Sequence, residues 1–158
     1  MQDQKIVVVV GPTASGKSDL AVVLAKKFNG EVISADSRQV YRGLDIGTGK
    51  ITRKEMRGVR HHLLDVASPL RDFSASRYKA LAEKTIRDIK RRQKLPIICG
   101  GTGFYIDTLL GARTIPDVQP NKKLRIRLEK LSTAALFEEL QKRAPRSRQS
   151  GAPARTFY

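Results

Sequence analysis

Short apolar runs alternate along this chain with longer stretches in which apolar side chains recur every three or four positions. Ile6–Val10 is a β-branched run that stops at Gly11, the pattern of a strand buried on both faces. Leu20, Val23, Leu24 and Phe28 then follow at helical spacing from Ser18 to Phe28, and Asn29-Gly30 ends that helix. Glu31–Ala35 predicts a second strand with Asp36 at its carboxyl end, Leu63–Val66 a third, and Leu95–Cys99 a fourth closed by Gly100-Gly101. Between the second and third strands, residues 37 to 60 read as loop with short helical pieces. Ser74 is placed to cap a helix of about twenty residues whose apolar face is Tyr78, Leu81, Ala82, Thr85, Ile86 and Ile89. Further helical patterns begin at Phe104, about Asn121 and about Thr133.

Strand–loop–helix alternation of this kind predicts an α/β fold: a parallel sheet flanked by helices, with right-handed crossovers. The expected organisation is a catalytic domain with the beginning of a helical part over residues 1–144, followed by an unstructured tail over 145–158. That tail has no apolar periodicity and no acids. No apolar run approaches the roughly 20 residues of a membrane span, and no secretory signal is evident in the opening residues. Cys99, the single cysteine, excludes an internal disulfide and fits a reducing, cytoplasmic setting.

Charge changes the picture more. Thirty-one Lys plus Arg against 15 Asp plus Glu give a net +16, which argues for a polyanionic partner. The excess is gathered in three segments. Residues 50–60 hold five basic residues and one acid; 84–94 hold Lys84, Arg87, Lys90, Arg91, Arg92 and Lys94; 122–130 hold Lys122, Lys123, Arg125, Arg127 and Lys130. Such segments are commonly solvated helix faces, but they acquire a function beside a phosphate site.

Gly11-Pro12-Thr13-Ala14-Ser15-Gly16-Lys17-Ser18 supplies that site. It is the phosphate-loop pattern, set between a predicted strand and a predicted helix as the motif requires. Its glycines let backbone N–H groups curl around phosphate oxygens, and the following helix adds its positive N-terminus. Lys17 neutralises phosphate charge, and the Ser18 hydroxyl is a ligand for Mg²⁺. A phosphate loop does not say which bond breaks. Asp36, at the carboxyl edge of the sheet where ligands of open α/β folds bind, reads as metal ligand, general base or turn residue, the bare Asp-Ser pair favouring the turn. Gly100-Gly101-Thr102-Gly103 reaches the same edge. His61 and His62, being adjacent, point to opposite faces of a strand, which disfavours joint metal binding.

Taken together these residues resemble the tRNA dimethylallyltransferase (tRNA isopentenyltransferase) family. The stretches that carry the resemblance are the phosphate loop, Asp36-Ser-Arg-Gln-Val-Tyr41, Asp45-Ile-Gly-Thr-Gly-Lys50, His61-His-Leu-Leu-Asp65, Pro96–Tyr105 and the helix start at 120–129. They occur in family order from about Ile6 to Ala144. The resemblance implies a fold like that of the phosphate-loop NTPases and transfer of a dimethylallyl group from its diphosphate to N6 of adenine 37, beside the tRNA anticodon. It implies Mg²⁺, binding of the anticodon stem-loop, and a monomer. Asp36 then corresponds to the general base. Thr102 corresponds to a catalytic residue at the diphosphate and target-base end. Ser37, Arg38 and Gln39 correspond to contacts with the target base, and Arg125 to a tRNA contact. The target base has to leave its stack, as in other base-modifying enzymes.

Family members are longer, with a helical tRNA-binding insertion and a C-terminal segment that returns to the catalytic domain. The last 14 residues here match neither. A truncated and weakly active or inactive form is therefore expected. Two other readings stay open: a phosphate-loop kinase acting on a small molecule, in which Asp36 activates a hydroxyl, and a non-catalytic RNA-binding fragment.

Overall fold

The structure, a computed structural model, describes residues 5–115, 118 and 121–143. The chain divides into two compact units, Met1–Ile115 and Pro116–Tyr158. The predicted tail over 145–158 lies outside the described residues.

In the first unit the elements follow in the order β1 (Val7–Val10), α1 (Lys17–Lys27), β2 (Gly30–Ser34), α2 (Arg53–Met56), β3 (His61–His62), α3 (Ala75–Arg91), β4 (Leu95–Gly100) and α4 (Gly103–Leu109). The four strands form one parallel sheet in the order β1-β4-β2-β3. Val9 lies opposite Cys99, and Val32 and Ile33 lie opposite Ile97 and Ile98.

Alternation along these strands divides the core between two faces. Val9, Val32, Ile97 and Cys99 pack on one side against Ala21 and Ala25 of α1. Ile33, Ala35 and Ile98 pack on the other against Tyr78, Ala82, Ile86 and Ile89 of α3 and Tyr105 and Ile106 of α4. The α3 face is the one its periodicity predicts, and the Ser74 hydroxyl accepts from the Arg77 N–H at 3.2 Å as its cap. The small residues on α1 let that helix lie close to the sheet.

The third strand departs from expectation. It is His61–His62 and not Leu63–Val66. Leu63 and Asp65 have φ of 62° and 57°, a left-handed backbone that cannot continue a strand. The apolar Leu63 is buried because the chain turns there and points it into the core. The 37–60 stretch is loop with one short helix, α2, closed by a capping box between Thr52 and Glu55.

The second unit contains α5 (Lys122–Leu128) and α6 (Thr133–Arg143). Asn121 caps α5 through a 2.9 Å bond from the Leu124 N–H, and Ser132 accepts from Ala135 at 3.3 Å. None of its described residues is buried. Glu139 pairs with Arg143 at 2.8 Å and Arg127 at 3.7 Å.

Candidate functional site

Strand order decides which loops meet. The strands β1, β4 and β2 are neighbours, so the segments leaving their carboxyl ends are neighbours too. These are the phosphate loop 11–18, the segment 100–103, and the segment 36–41. Every site residue expected of the first unit lies on one of the three.

Glycine is required where β4 meets β2. A Cβ on Gly100 would sit 2.3 Å from the Ala35 carbonyl oxygen. That close approach allows two backbone bonds, Ala35 N–H to Cys99 O at 2.8 Å and Thr102 N–H to Ala35 O at 3.1 Å. On the other side, a Cβ on Gly101 would lie 3.5 Å from the Gly11 carbonyl oxygen. Segment 100–103 thus lies against both of its neighbours.

The phosphate loop takes left-handed φ at Ala14 (61°) and Gly16 (77°), the kind of backbone by which successive N–H groups curl around an anion. Gly16 is also the N-cap of α1 and has no side chain to cover the helix terminus. The Lys17 ammonium donates to the Pro12 carbonyl at 2.8 Å, spanning the loop. Ser18 lies exposed in the first turn of α1. Beneath it, the Cys99 Sγ donates to the Lys17 carbonyl at 3.5 Å, and burial pushes this thiol up from its ordinary value. Cys99 is therefore a neutral packing residue under the loop.

Asp36 Oδ1 accepts from the Arg38 N–H at 2.8 Å and the Gln39 N–H at 3.3 Å. The turn reading of Asp36 is thus correct as far as Oδ1 goes, while Oδ2 takes no part in these bonds. Ser37 N–H donates to Thr102 Oγ1 at 2.9 Å, and the Thr102 hydroxyl reaches Ser37 Oγ at 3.3 Å. Gln39 Nε2 donates to the Thr48 and Gly49 carbonyls at 3.4 and 3.3 Å, tying the 43–50 loop to the site. Tyr105 lies behind Asp36 and stacks on Tyr78 with ring centroids 4.1 Å apart. Burial, and then the neighbouring Tyr41 and Asp36, push its phenol up. The structure thus brings together Lys17, Ser18, Asp36, Ser37, Arg38, Gln39 and Thr102 on one sheet edge. Arg125 belongs to the second unit, exposed on α5.

Two charged clusters escaped the sequence reading. Lys50 is not a solvated cation: its side chain is 6% exposed and donates to Asp45 and Asp65, each at 2.6 Å, and to the Tyr41 carbonyl at 2.8 Å. Burial alone would lower its pKa, but the two carboxylates outweigh it and hold it above the ordinary value. At the opposite end of the sheet, Glu31 is buried and meets His62 and Arg92 at 2.7 Å each and Lys94 at 3.1 Å. Burial would raise its carboxyl, but Arg92, His62 and Lys94 more than offset this and hold it at about 2. Arg92 and Lys94 were counted in a basic segment; both are engaged by this acid. The available signal was a lone glutamate inside an otherwise apolar strand. The histidines behave as their adjacency requires: His62 faces Glu31, while His61 Nδ1 bonds the Val59 carbonyl at 3.0 Å.

Known proteins resemble this chain in sequence and in fold. The sequence profile of the IPP transferase family matches residues 39–156, starting at Gln39 within the site. A tRNA dimethylallyltransferase of Caldanaerobacter subterraneus is 48% identical over an alignment of 145 residues that covers 89% of this chain and 46% of that protein. Among solved structures, the full-length tRNA isopentenylpyrophosphate transferase of Bacillus halodurans superposes with a TM-score of 0.70 at 44% identity, over 91% of this chain and 49% of that one. A eukaryotic dimethylallyltransferase captured acting on tRNA gives a TM-score of 0.80 at 35% identity, over 91% of this chain and 37% of that one. The chain spans about half the length of the relatives it matches or less. With its phosphate loop, its Asp36 turn and its Thr102 segment on one parallel sheet edge, the chain belongs to the IPP transferase family.

Proposed function

We propose that this chain carries the diphosphate-binding and proton-accepting part of a tRNA dimethylallyltransferase. The observation that carries the reading is the adjacency of three segments: an anion-curling loop with its lysine, a threonine segment, and an aspartate with one carboxylate oxygen outside its own turn. Relatives of this chain are named for dimethylallyl transfer to tRNA, and the net +16 suits an RNA partner.

In this reading the loop Gly11, Pro12, Thr13, Ala14, Ser15 and Gly16 receives the diphosphate of dimethylallyl diphosphate. Lys17 leaves the Pro12 carbonyl to neutralise it. The N6 amine of the target adenine attacks C1 of the dimethylallyl group; the C1–O bond breaks and its electron pair leaves with the diphosphate. The N6 proton goes to Asp36. Adenine N6 is a weak nucleophile because its lone pair is delocalised, so a fixed carboxylate helps; general bases contribute about 10²–10⁴-fold. Ser37, Arg38 and Gln39 flank the base, and the Thr102 hydroxyl holds Ser37 in register.

The residues present fit Mg²⁺. Among the described residues no group of three or more His, Cys, Asp or Glu side chains forms a metal cage. Mg²⁺ commonly uses few protein ligands, substrate phosphates and waters, and the exposed Ser18 hydroxyl beside the loop suits that. Bound there, Mg²⁺ would supply charge balance for the leaving diphosphate.

The test uses the chain with unmodified tRNA, Mg²⁺ and either dimethylallyl diphosphate or ATP. Titration calorimetry should show dimethylallyl diphosphate binding that Lys17→Ala abolishes, and any N6-dimethylallyladenosine found by nucleoside mass analysis should form only with the prenyl donor. Equal binding by Lys17→Ala, or phosphoryl transfer from ATP without prenylation, would overturn the reading.

A further inference from the structure

A cavity of about 630 Å³ opens between α2 and the outer strand β3. That volume is within the range of small-molecule pockets. Its apolar wall is Ile51, Met56, Val59 and Leu64, all half-buried. Arg53 and Arg60 line it as well, both exposed and neither in an ion pair among the described residues, whereas Arg57 between them is turned to Asp19. The two acids at the cavity, Asp45 and Asp65, are both bound by Lys50 at 2.6 Å. An incoming anion therefore meets two unengaged guanidinium groups beside two carboxylates that share one lysine, a lining with three positive and two negative charges.

His61 adds a direction to the chemistry. A carbonyl oxygen only accepts, so the proton of the His61–Val59 bond sits on Nδ1. Burial holds this imidazole below its ordinary pKa, so it stays neutral with Nε2 as an acceptor. With His61 in its lining, a half-apolar cavity with cations at its side suits a flat ligand that bears a phosphate.

The position narrows the source. Asp45 lines this cavity and also a neighbouring one of about 550 Å³, whose other walls include Arg38 and Tyr41. The two cavities thus run from the Asp36 turn outward to Arg60. The α2–β3 cavity has no glycine-rich cradle of the kind a diphosphate needs, and its two separate guanidiniums match single phosphates spaced along a strand. We propose that the cavity between α2 and β3 binds one nucleotide of the RNA strand adjoining the target adenosine, with its base against Met56 and Val59 and its two flanking phosphates on Arg53 and Arg60. The proposal rests on the RNA-modifying reading above and extends it to a residue the enzyme does not modify.

The sequence contains two methionines, Met1 and Met56. A protein labelled with ¹³C in the methionine methyl groups therefore reports this cavity without any substitution. On titration with an anticodon stem-loop RNA, the Met56 methyl resonance should move upfield as a base ring covers it, saturating together with the binding measured by fluorescence anisotropy. Arg53→Ala with Arg60→Ala should weaken RNA binding by about tenfold or more and lower the salt slope by about two. The control pair Arg87→Ala with Lys90→Ala removes the same charge from α3 and should have a smaller effect. RNA binding with an unmoved Met56 methyl, or equal losses in the two double variants, would overturn this site and leave the prenyl-transfer reading standing. A chain that binds no RNA would overturn both.

Discussion

Thr102 stands at the N-cap of α4, yet its hydroxyl oxygen takes its 2.9 Å bond from the Ser37 N–H, 65 residues away, and makes no side-chain cap of its own helix. A capping hydroxyl normally satisfies the first turn of the helix it precedes. Here that local bond is given up for one that fastens the segment after β4 to the segment after β2. Since Asp36 precedes Ser37, the bond fixes where the carboxylate begins its turn.

Thr102→Val keeps the shape and removes the acceptor. We expect a loss of about 1 kcal/mol, because the Ser37 amide is exposed enough for water to replace much of the bond. We also expect faster amide exchange at Ser37 and slower prenyl transfer, with Thr102→Ser restoring both. Unchanged exchange at Ser37 in Thr102→Val would show that the bond does not hold this segment.

Asp36 separates two roles by atom. Oδ1 accepts from Arg38 and Gln39, and an asparagine oxygen can accept the same two bonds. Asp36→Asn should therefore melt within about 2 °C of the parent, given that 1 kcal/mol is worth several degrees in a domain of this size. In a full-length version its prenyl transfer, followed in single turnovers, should fall by about 10²-fold or more, since an amide cannot take the N6 proton. Asp36→Ala should lose stability as well. A rate for Asp36→Asn within tenfold of the parent would reduce Asp36 to a turn residue.

Gly100 is fixed by space. Its φ is unremarkable, but an added methyl would meet the Ala35 carbonyl at 2.3 Å, and its nearest atoms are all Ala35 backbone, with nothing flexible to yield. Gly100→Ala should cost about 2 kcal/mol or more, in the range of overpacked cores. It should also weaken diphosphate binding, because the 100–103 segment lies against Gly11. A variant as stable as the parent by thermal melting would contradict the close approach of β4 and β2.

Much of this was legible in sequence because the signals were local. The phosphate loop announces itself by spacing, and Ser74 with Tyr78, Ala82, Ile86 and Ile89 announces α3 by period. What was misread depended on distant partners. Leu63–Val66 has strand-like composition, but the left-handed turns at Leu63 and Asp65 end β3 at His62, before the predicted strand begins, and nothing in the residue types demands those turns. Lys50, Arg92 and Lys94 read as solvated basic residues because the acids that hold them lie 5 to 63 positions away. The meeting of Ser37 with Thr102 likewise follows from strand order, which puts β4 between β1 and β2 and which no local pattern specifies.

The Glu31 cluster makes stability depend on acid in a direction that can be worked out. Its carboxyl is held at about 2 in the fold against an ordinary value of 4.5. A group with a depressed folded value contributes stability that is complete above the unfolded value and is lost as pH falls through the folded one. The contribution should therefore be present at neutral pH and decline from about pH 4.5 toward pH 2. The carboxyl is nearly fully buried, but Arg92 and Lys94 are each more than a third exposed, so water supports the cations once the acid is neutral. Glu31→Gln keeps the volume and leaves three donors facing an uncharged amide. It should cost about 3 kcal/mol at pH 7, at the lower end for a broken buried pair. The penalty should shrink steadily below pH 4.5, because the parent's unfolded state then takes up a proton that its folded state does not. Urea melts of both proteins at pH 7, 5, 4 and 3 measure this directly. A difference between parent and variant that stayed constant across that range would mean that Glu31 acts through packing alone, with its ion pairs to Arg92, Lys94 and His62 adding nothing.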